Sequence, residues 1–158
     1  ITINMKKYFY PLIENPYRKI DLNAAKNVIS SGRITMGKYT NLFESKFSNK
    51  LNTKYSLMVN SGSSANLLAI QCLINPYRKK RLKIGDEVLI PALCWSTSLW
   101  PIIQSGLKPV FVDINPNTLN IDLKLLQKKI TNKTKAIMLV HVLGNSTEMN
   151  LLLKIIKK

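Results

Sequence analysis

The sequence has 158 residues, 46% of them hydrophobic, which is long and apolar enough for one globular core. Its two cysteines show no paired spacing, so neither a disulfide framework nor a zinc site is indicated, and a reducing cytoplasm is favoured. The formal net charge is +16, and apart from the run at residues 78–81 and the last two lysines the basic residues are scattered along the chain, singly or in pairs. This distribution predicts a solvated surface and no specific nucleic-acid partner.

The first 54 residues are predicted to form an N-terminal helical segment. Residues 1–12 match neither a signal peptide nor an anchor, and no apolar run is long enough for a membrane span, so no membrane partner is expected. Asp21 is the predicted N-cap of a first helix, which Gly32 ends. A second helix is predicted over residues 40–50.

Residues 55–158 are predicted to form a partial α/β domain. In chain order, we expect a strand at 56–59, a helix at 64–74, a strand at 87–90, a helix at 98–104, a strand at 109–113, a helix at 123–129 and a strand at 136–141. This alternation is typical of βαβ units, in which helices flank a mainly parallel sheet. Pro101 falls inside one predicted helix, where it is tolerated near the first turn but can also kink the helix.

A turn of small residues lies between the first predicted strand and its helix, in the stretch Asn-Ser-Gly-Ser-Ser-Ala-Asn at 60–66. Unpaired N–H groups at such a helix start can bind an anion. Gly62 allows a close backbone approach, and the hydroxyls of Ser63 and Ser64 add donors. The stretch matches neither the dinucleotide fingerprint nor the Walker pattern. Taken alone, these residues favour an ordinary serine-capped helix.

Trp95 follows the next predicted strand, at the edge of the sheet where ligands of open α/β folds bind. Its indole can stack on a heteroaromatic ring, although aromatic residues more often pack in a core. A phosphate-binding turn and a stacking aromatic at one sheet edge together describe a site for a phosphorylated aromatic such as pyridoxal 5'-phosphate (PLP).

Several segments in the same order resemble the DegT/DnrJ/EryC1/StrS family of sugar aminotransferases and related dehydratases. They are residues 31–37, 60–69, 85–88, 94–97, 106–113, 134–141 and 144–145. The resemblance implies the large domain of a fold-type I PLP transferase, of the aspartate aminotransferase kind. It also implies that the chain is the truncated, N-terminal part of such an enzyme.

The resemblance also implies the cofactor contacts. The backbone at Gly62 and Ser63, with Ser64 beside them, holds the cofactor phosphate, and Trp95 stacks on the pyridine ring. The cofactor is PLP or its amine form, pyridoxamine 5'-phosphate (PMP). A nucleotide sugar is the implied substrate, and the intact enzyme is implied to be a homodimer.

Residues 75–83, 96–97 and 100–104 are most similar to the branch of the family that removes the 3-hydroxyl of nucleotide-linked 4-keto-6-deoxy sugars. This branch implies a role in lipopolysaccharide O-antigen or deoxysugar biosynthesis. A sugar aminotransferase of the same family is the alternative, and a non-catalytic basic binding protein is the alternative from another class.

No catalytic residue and no metal site are assigned. His141, the only histidine, is predicted to end a strand, but it has no carboxylate or serine at a recognisable spacing. Asp113 is interpreted as structural. In the family, the carboxylate on the pyridine nitrogen, and the lysine or histidine that acts on the cofactor, lie beyond the loop at 144–145. Whether this chain is itself an enzyme is therefore left open.

Overall fold

A computed structural model describes residues 16–157. Residues 1–12, for which no signal peptide is expected, lie outside the described part. The chain divides into two compact units between Met58 and Val59. The boundary predicted from the sequence falls between residues 54 and 55.

The first unit contains helix α1 (Lys19–Ser30) and helix α2 (Lys38–Leu51). The prediction of Asp21 as N-cap is wrong, because Arg18 is the N-cap and Asp21 is the third helical residue. The Asp21 carboxylate accepts hydrogen bonds from the Arg18 backbone N–H at 2.9 Å and from its Nε at 3.2 Å. These bonds lower the pKa of Asp21, the side-chain bond contributing most. Gly32 follows the C-cap at φ +67°, so the predicted helix end is confirmed.

The strand predicted at 56–59 does not form among the described residues, where no other strand pairs with it and two of its polar groups bind α2. The Ser48 hydroxyl donates to the Ser56 hydroxyl at 2.9 Å, and the Met58 N–H donates to the Glu44 carboxylate at 2.8 Å. A backbone N–H that binds a side chain is not available for a strand ladder. Residues 55–59 have no regular secondary structure.

The second unit alternates helices and strands. Its elements are α3 (Gly62–Ile74), β1 (Glu87–Pro91), α4 (Ser96–Gln104), β2 (Lys108–Val112), α5 (Leu123–Lys129), β3 (Thr134–Ile137), a short 3₁₀ turn (Val142–Gly144) and α6 (Met149–Ile156). The three strands are parallel and lie in the order β2-β1-β3. The predicted parallel sheet flanked by helices is thereby confirmed.

The central strand β1 is buried along its whole length and divides two apolar clusters. Successive side chains of a strand point to opposite faces of the sheet. One face packs on α3 and α4, and the other packs on α5 and α6. The first cluster includes Val88, Ile90, Ile70 and Ile102, and the second includes Leu89, Val112, Leu126 and Leu152. The helix pair α3 and α4 therefore shares one face of the sheet.

The prediction that His141 ends a strand is wrong, because β3 ends at Ile137. One further ladder bond runs from the Met138 N–H to the Leu89 carbonyl, at 2.8 Å. In a parallel pair, the return bond to Met138 would come from the N–H of Pro91, which proline lacks. The chain then leaves the sheet, and His141 precedes the 3₁₀ turn.

Candidate cofactor-binding site

The first turn of α3 is held by hydrogen bonds among its own polar residues. Ser61 is the N-cap, and its hydroxyl oxygen accepts from the Ser64 N–H at 3.2 Å. The Ser64 hydroxyl donates to the side-chain oxygen of Asn60 at 2.6 Å. Ser64 is thereby engaged within the turn through both groups, so it supports the turn and its hydroxyl proton is not free for a ligand.

The N–H groups of Gly62 and Ser63 are the donors left over at this helix start. Neither has a hydrogen-bond acceptor within the described part of the chain. Both lie at the positive end of the dipole of a 13-residue helix. Gly62 and Ser63 are exposed to solvent, and the Ser63 hydroxyl adds a third donor. Together these groups form a donor set suited to an anion such as a phosphate.

Trp95 lies at the start of α4, four residues after β1 ends. It is the N-cap residue, with extended backbone, and its side chain is 76% exposed. The core interpretation of this tryptophan is therefore wrong, and its ring is available to a ligand or partner. Cys94 beside it is partly buried, and that burial raises the pKa of its thiol, which disfavours the reactive thiolate.

Two side-chain hydrogen bonds tie α3 to α4 and fix their relative direction. Asn66 donates from Nδ2 to the Thr97 carbonyl at 3.3 Å, and Gln71 donates from Nε2 to the Ser105 hydroxyl at 3.1 Å. From the first bonded pair to the second, the residue number increases along both helices, so the two helices run parallel. Their first residues, Gly62 and Ser96, consequently lie at the same end of the pair.

A groove of about 250 Å³ runs between the two helices, lined by Ser63, Ser64, Leu67, Thr97, Trp100, Pro101 and Gln104. Ser63 thus faces space shared with α4. Trp95 does not line this groove, but it lies two residues before Thr97, which does. The structure therefore brings the predicted turn and the predicted aromatic to one end of the helix pair, with open space at both.

These residues fit a phosphorylated aromatic group. A Cβ placed on Gly62 would meet no heavy atom within 4 Å, so the backbone there is open to a ligand. Two unpaired N–H groups and a hydroxyl match the oxygens of a phosphate, and an exposed indole matches a flat ring. The assignment of Gly62, Ser63, Ser64 and Trp95 as cofactor-binding residues stays a prediction.

His141 and Asp113 have structural partners. The Nδ1 atom of His141 accepts from the Thr147 N–H at 3.1 Å, and the Asp113 carboxylate accepts from the Ile114 N–H at 2.8 Å. These bonds shape the loops that follow β3 and β2. They support leaving both residues outside the candidate site.

Residues 16–157 contain no group of three or more histidine, cysteine or acidic side chains arranged to hold a metal ion. Within the same part of the chain, no helix is long and apolar enough to cross a membrane.

Two roles were not predicted from the sequence: Ser61 as the N-cap of α3, and Asn66 as the donor to the Thr97 carbonyl. The signal for Ser61 is its spacing of three residues from Ser64, which is typical of a helix N-cap. The partner of Asn66 lies 31 residues away, on another helix. No local pattern predicts that contact.

Comparisons with known proteins agree with the geometry. Residues 17–158 match the model of the DegT/DnrJ/EryC1/StrS aminotransferase family. The chain is 44% identical over 147 residues to the GDP-4-keto-6-deoxy-D-mannose 3-dehydratase of Escherichia coli O55:H7. A dTDP-3-amino-3,6-dideoxy-alpha-D-galactopyranose transaminase of Aneurinibacillus thermoaerophilus is 36% identical over 142 residues. These matches cover 93% and 90% of this chain, but only 38% and 37% of the relatives.

Solved structures show the same relationship. The Escherichia coli GDP-4-keto-6-deoxy-D-mannose-3-dehydratase with bound hydrated PLP superposes with a TM-score of 0.88 at 43% identity, covering 94% of this chain and 38% of that one. Spr1654 of Streptococcus pneumoniae in its PMP form gives 0.75 at 29% identity, covering 88% and 33%. With nearly its whole length matched by the family model, the chain belongs to the DegT/DnrJ/EryC1/StrS aminotransferase family.

Proposed function

We propose that this chain forms the cofactor-phosphate-binding part of a PLP- or PMP-dependent enzyme. The enzyme removes the 3-hydroxyl of a nucleotide-linked 4-keto-6-deoxy sugar, in lipopolysaccharide or deoxysugar biosynthesis. The observation that carries the proposal is the 44% identity to a GDP-4-keto-6-deoxy-D-mannose 3-dehydratase over 93% of the chain. The cofactor part of the proposal has independent support from Trp95, which is exposed, and from the N–H groups at the start of α3, which have no acceptor among residues 16–157.

In this proposal, the residues of the chain bind and orient the cofactor. The N–H groups of Gly62 and Ser63 donate to the phosphate, and the Ser63 hydroxyl adds a bond. Trp95 covers one face of the ring and keeps water from it. Ser64 acts indirectly, because its N–H and hydroxyl hold the turn in shape. The bound cofactor supplies an electron sink for bond changes next to the sugar carbonyl.

Homodimer formation and a cytoplasmic location belong to the same proposal. For the dimer, the support is apolar surface: α2 presents Phe43 and Phe47, whose ring centroids are 5.5 Å apart and which are each more than 40% exposed. Such apolar surface favours association. Cys72 and Cys94 are both free thiols, which suits a reducing compartment.

An aminotransferase of the same family is a second candidate, favoured by the 36% identity to the Aneurinibacillus transaminase. The two reactions leave different products. A dehydratase of this kind replaces the 3-hydroxyl by hydrogen, with an amino acid as the two-electron donor, and the donor's nitrogen is released as ammonia. A transaminase instead transfers that nitrogen to the sugar, where it replaces the keto oxygen. The nitrogen content of the product therefore decides between them.

The test assays the 158-residue chain, and the full-length product of the gene that encodes it, with GDP-4-keto-6-deoxymannose, PLP and ¹⁵N-glutamate. For the full-length product, mass spectrometry should detect a sugar without its 3-hydroxyl and without ¹⁵N. The 158-residue chain should bind PMP but show no turnover. A ¹⁵N-labelled sugar would establish the transaminase instead. Salt-dependent binding to generic nucleic acid, with no effect of PMP, would favour the basic binding protein.

A further inference from the structure

Pro101 leaves a carbonyl of α4 without its usual donor. In an α-helix, each carbonyl accepts from the N–H four residues later. For Thr97 that residue is Pro101, which has no N–H. The Nδ2 atom of Asn66 on α3 donates to this carbonyl at 3.3 Å. An asparagine from the neighbouring helix thus takes the place of the missing backbone donor.

The Asn66 bond lies between the two halves of the candidate site. Asn66 follows Ser63 by about one helical turn, and Thr97 follows Trp95 by two residues. The other side-chain bond between these helices, from Gln71 to Ser105, lies further along both of them. The two bonds are similar in kind and differ in their distance from the site.

We propose that Asn66 is a positioning residue for the cofactor. By binding the carbonyl that Pro101 leaves free, it fixes the distance between the phosphate donors at Ser63 and the ring of Trp95. A PLP or PMP molecule carries its phosphate at a nearly constant distance from its ring. It makes both contacts at full strength only if the helix starts are held at the matching separation. This inference rests on the proposed function of the turn and of Trp95.

The test compares Asn66→Ala with Gln71→Ala, a matched control that also removes one bond between α3 and α4. The probe is PMP, which has no aldehyde and does not condense with lysine side chains. Calorimetric titration of the 158-residue chain should show the dissociation constant for PMP raised about two- to tenfold by Asn66→Ala, from the loss of one hydrogen bond. Gln71→Ala should change it less than about twofold. Both variants should lower the unfolding midpoint.

Pro101→Ala tests whether the Asn66 bond compensates for the N–H that Pro101 lacks. It returns a backbone N–H to position 101, so the Thr97 carbonyl regains a donor within α4. Asn66→Ala should therefore lower the unfolding midpoint less in the Pro101→Ala background than in the parent. This coupling is measured without any ligand.

Equal effects of Asn66→Ala and Gln71→Ala on PMP affinity would overturn the positioning role. If Asn66→Ala lowers the unfolding midpoint equally in the parent and in Pro101→Ala, Asn66 does not replace the missing N–H of Pro101. If the parent chain does not bind PMP at millimolar concentration, the cofactor site itself fails together with the positioning role. If Trp95→Ala weakens PMP binding and Asn66→Ala does not, the site stands and only this inference fails.

Discussion

The substitution Gly62→Ala separates cofactor binding from folding. Gly62 is the first residue of α3, its φ lies outside the left-handed region, and an added Cβ meets no atom within 4 Å. Alanine therefore fits without strain. Because alanine favours the helix and restricts the unfolded chain, the free energy of unfolding should stay unchanged or rise by up to ~1 kcal/mol.

The same methyl group should obstruct a ligand. A phosphate must come close to the Gly62 backbone to reach its N–H, and the methyl occupies that open space. Loss of one hydrogen bond to a charged group costs ~1.5–3 kcal/mol, which raises the dissociation constant for PMP about tenfold or more. Calorimetric titration with PMP and chemical unfolding are run on the same preparation.

Gly37→Ala is the matched control. Gly37 also stands at the start of a helix, and its added Cβ would make only ordinary contacts, the nearest at 3.6 Å to the Arg33 carbonyl. It should leave PMP affinity unchanged. The reasoning is refuted if Gly62→Ala binds PMP as well as the parent, or if Gly62→Ala unfolds more easily than the parent by more than ~1 kcal/mol.

Three further predictions follow from burial and charge. Leu89→Ala, at a side chain with 0% exposure in β1, should lower the free energy of unfolding by about 3 kcal/mol in chemical denaturation. NMR titration should show the pKa of the Asp21 carboxyl below its ordinary value, and Arg18→Ala should raise it. Because the folded pKa is lowered, the bonds between Asp21 and Arg18 stabilise α1 at higher pH, and this contribution is lost as the pH falls through the folded pKa. Iodoacetamide should modify the exposed Cys72 before Cys94, whose pKa burial raises; equal rates would contradict this.

The parallel sheet could be predicted because its strands carry a strong local signal. The apolar run at 88–90, which follows Gly85 and precedes Pro91, indicates a strand buried on both faces. The segment at 56–59 has a similar pattern but forms no strand. Among the described residues no strand pairs with it, and its polar groups bind Ser48 and Glu44 of the preceding helix. Periodicity does not contain that information.

In the candidate site, too, some features have a local sequence signal and others do not. The serine turn and Trp95 could be located because each follows directly from the sequence around it. The role of Ser64 could not, since its hydroxyl binds Asn60 and not open space. Pro101 is unfavourable in a helix interior because it leaves the Thr97 carbonyl without a donor. Asn66 of a different helix donates to that carbonyl, a contact that the local sequence does not reveal. The Asn66 contact was not predictable because it joins distant segments, and the Ser64 bond was not because several partners are possible within one turn.

The central claim is that the start of α3 and Trp95 together bind a phosphorylated pyridine. PMP titration of the parent chain, Trp95→Ala and Tyr77→Ala tests it most directly. Tyr77 is a matched control, since its ring is 97% exposed and lies beyond the other end of α3. Trp95→Ala should weaken PMP binding by ~1 kcal/mol or more, about fivefold in the dissociation constant, and Tyr77→Ala should leave it unchanged. Equal PMP affinity in all three proteins would contradict the claim.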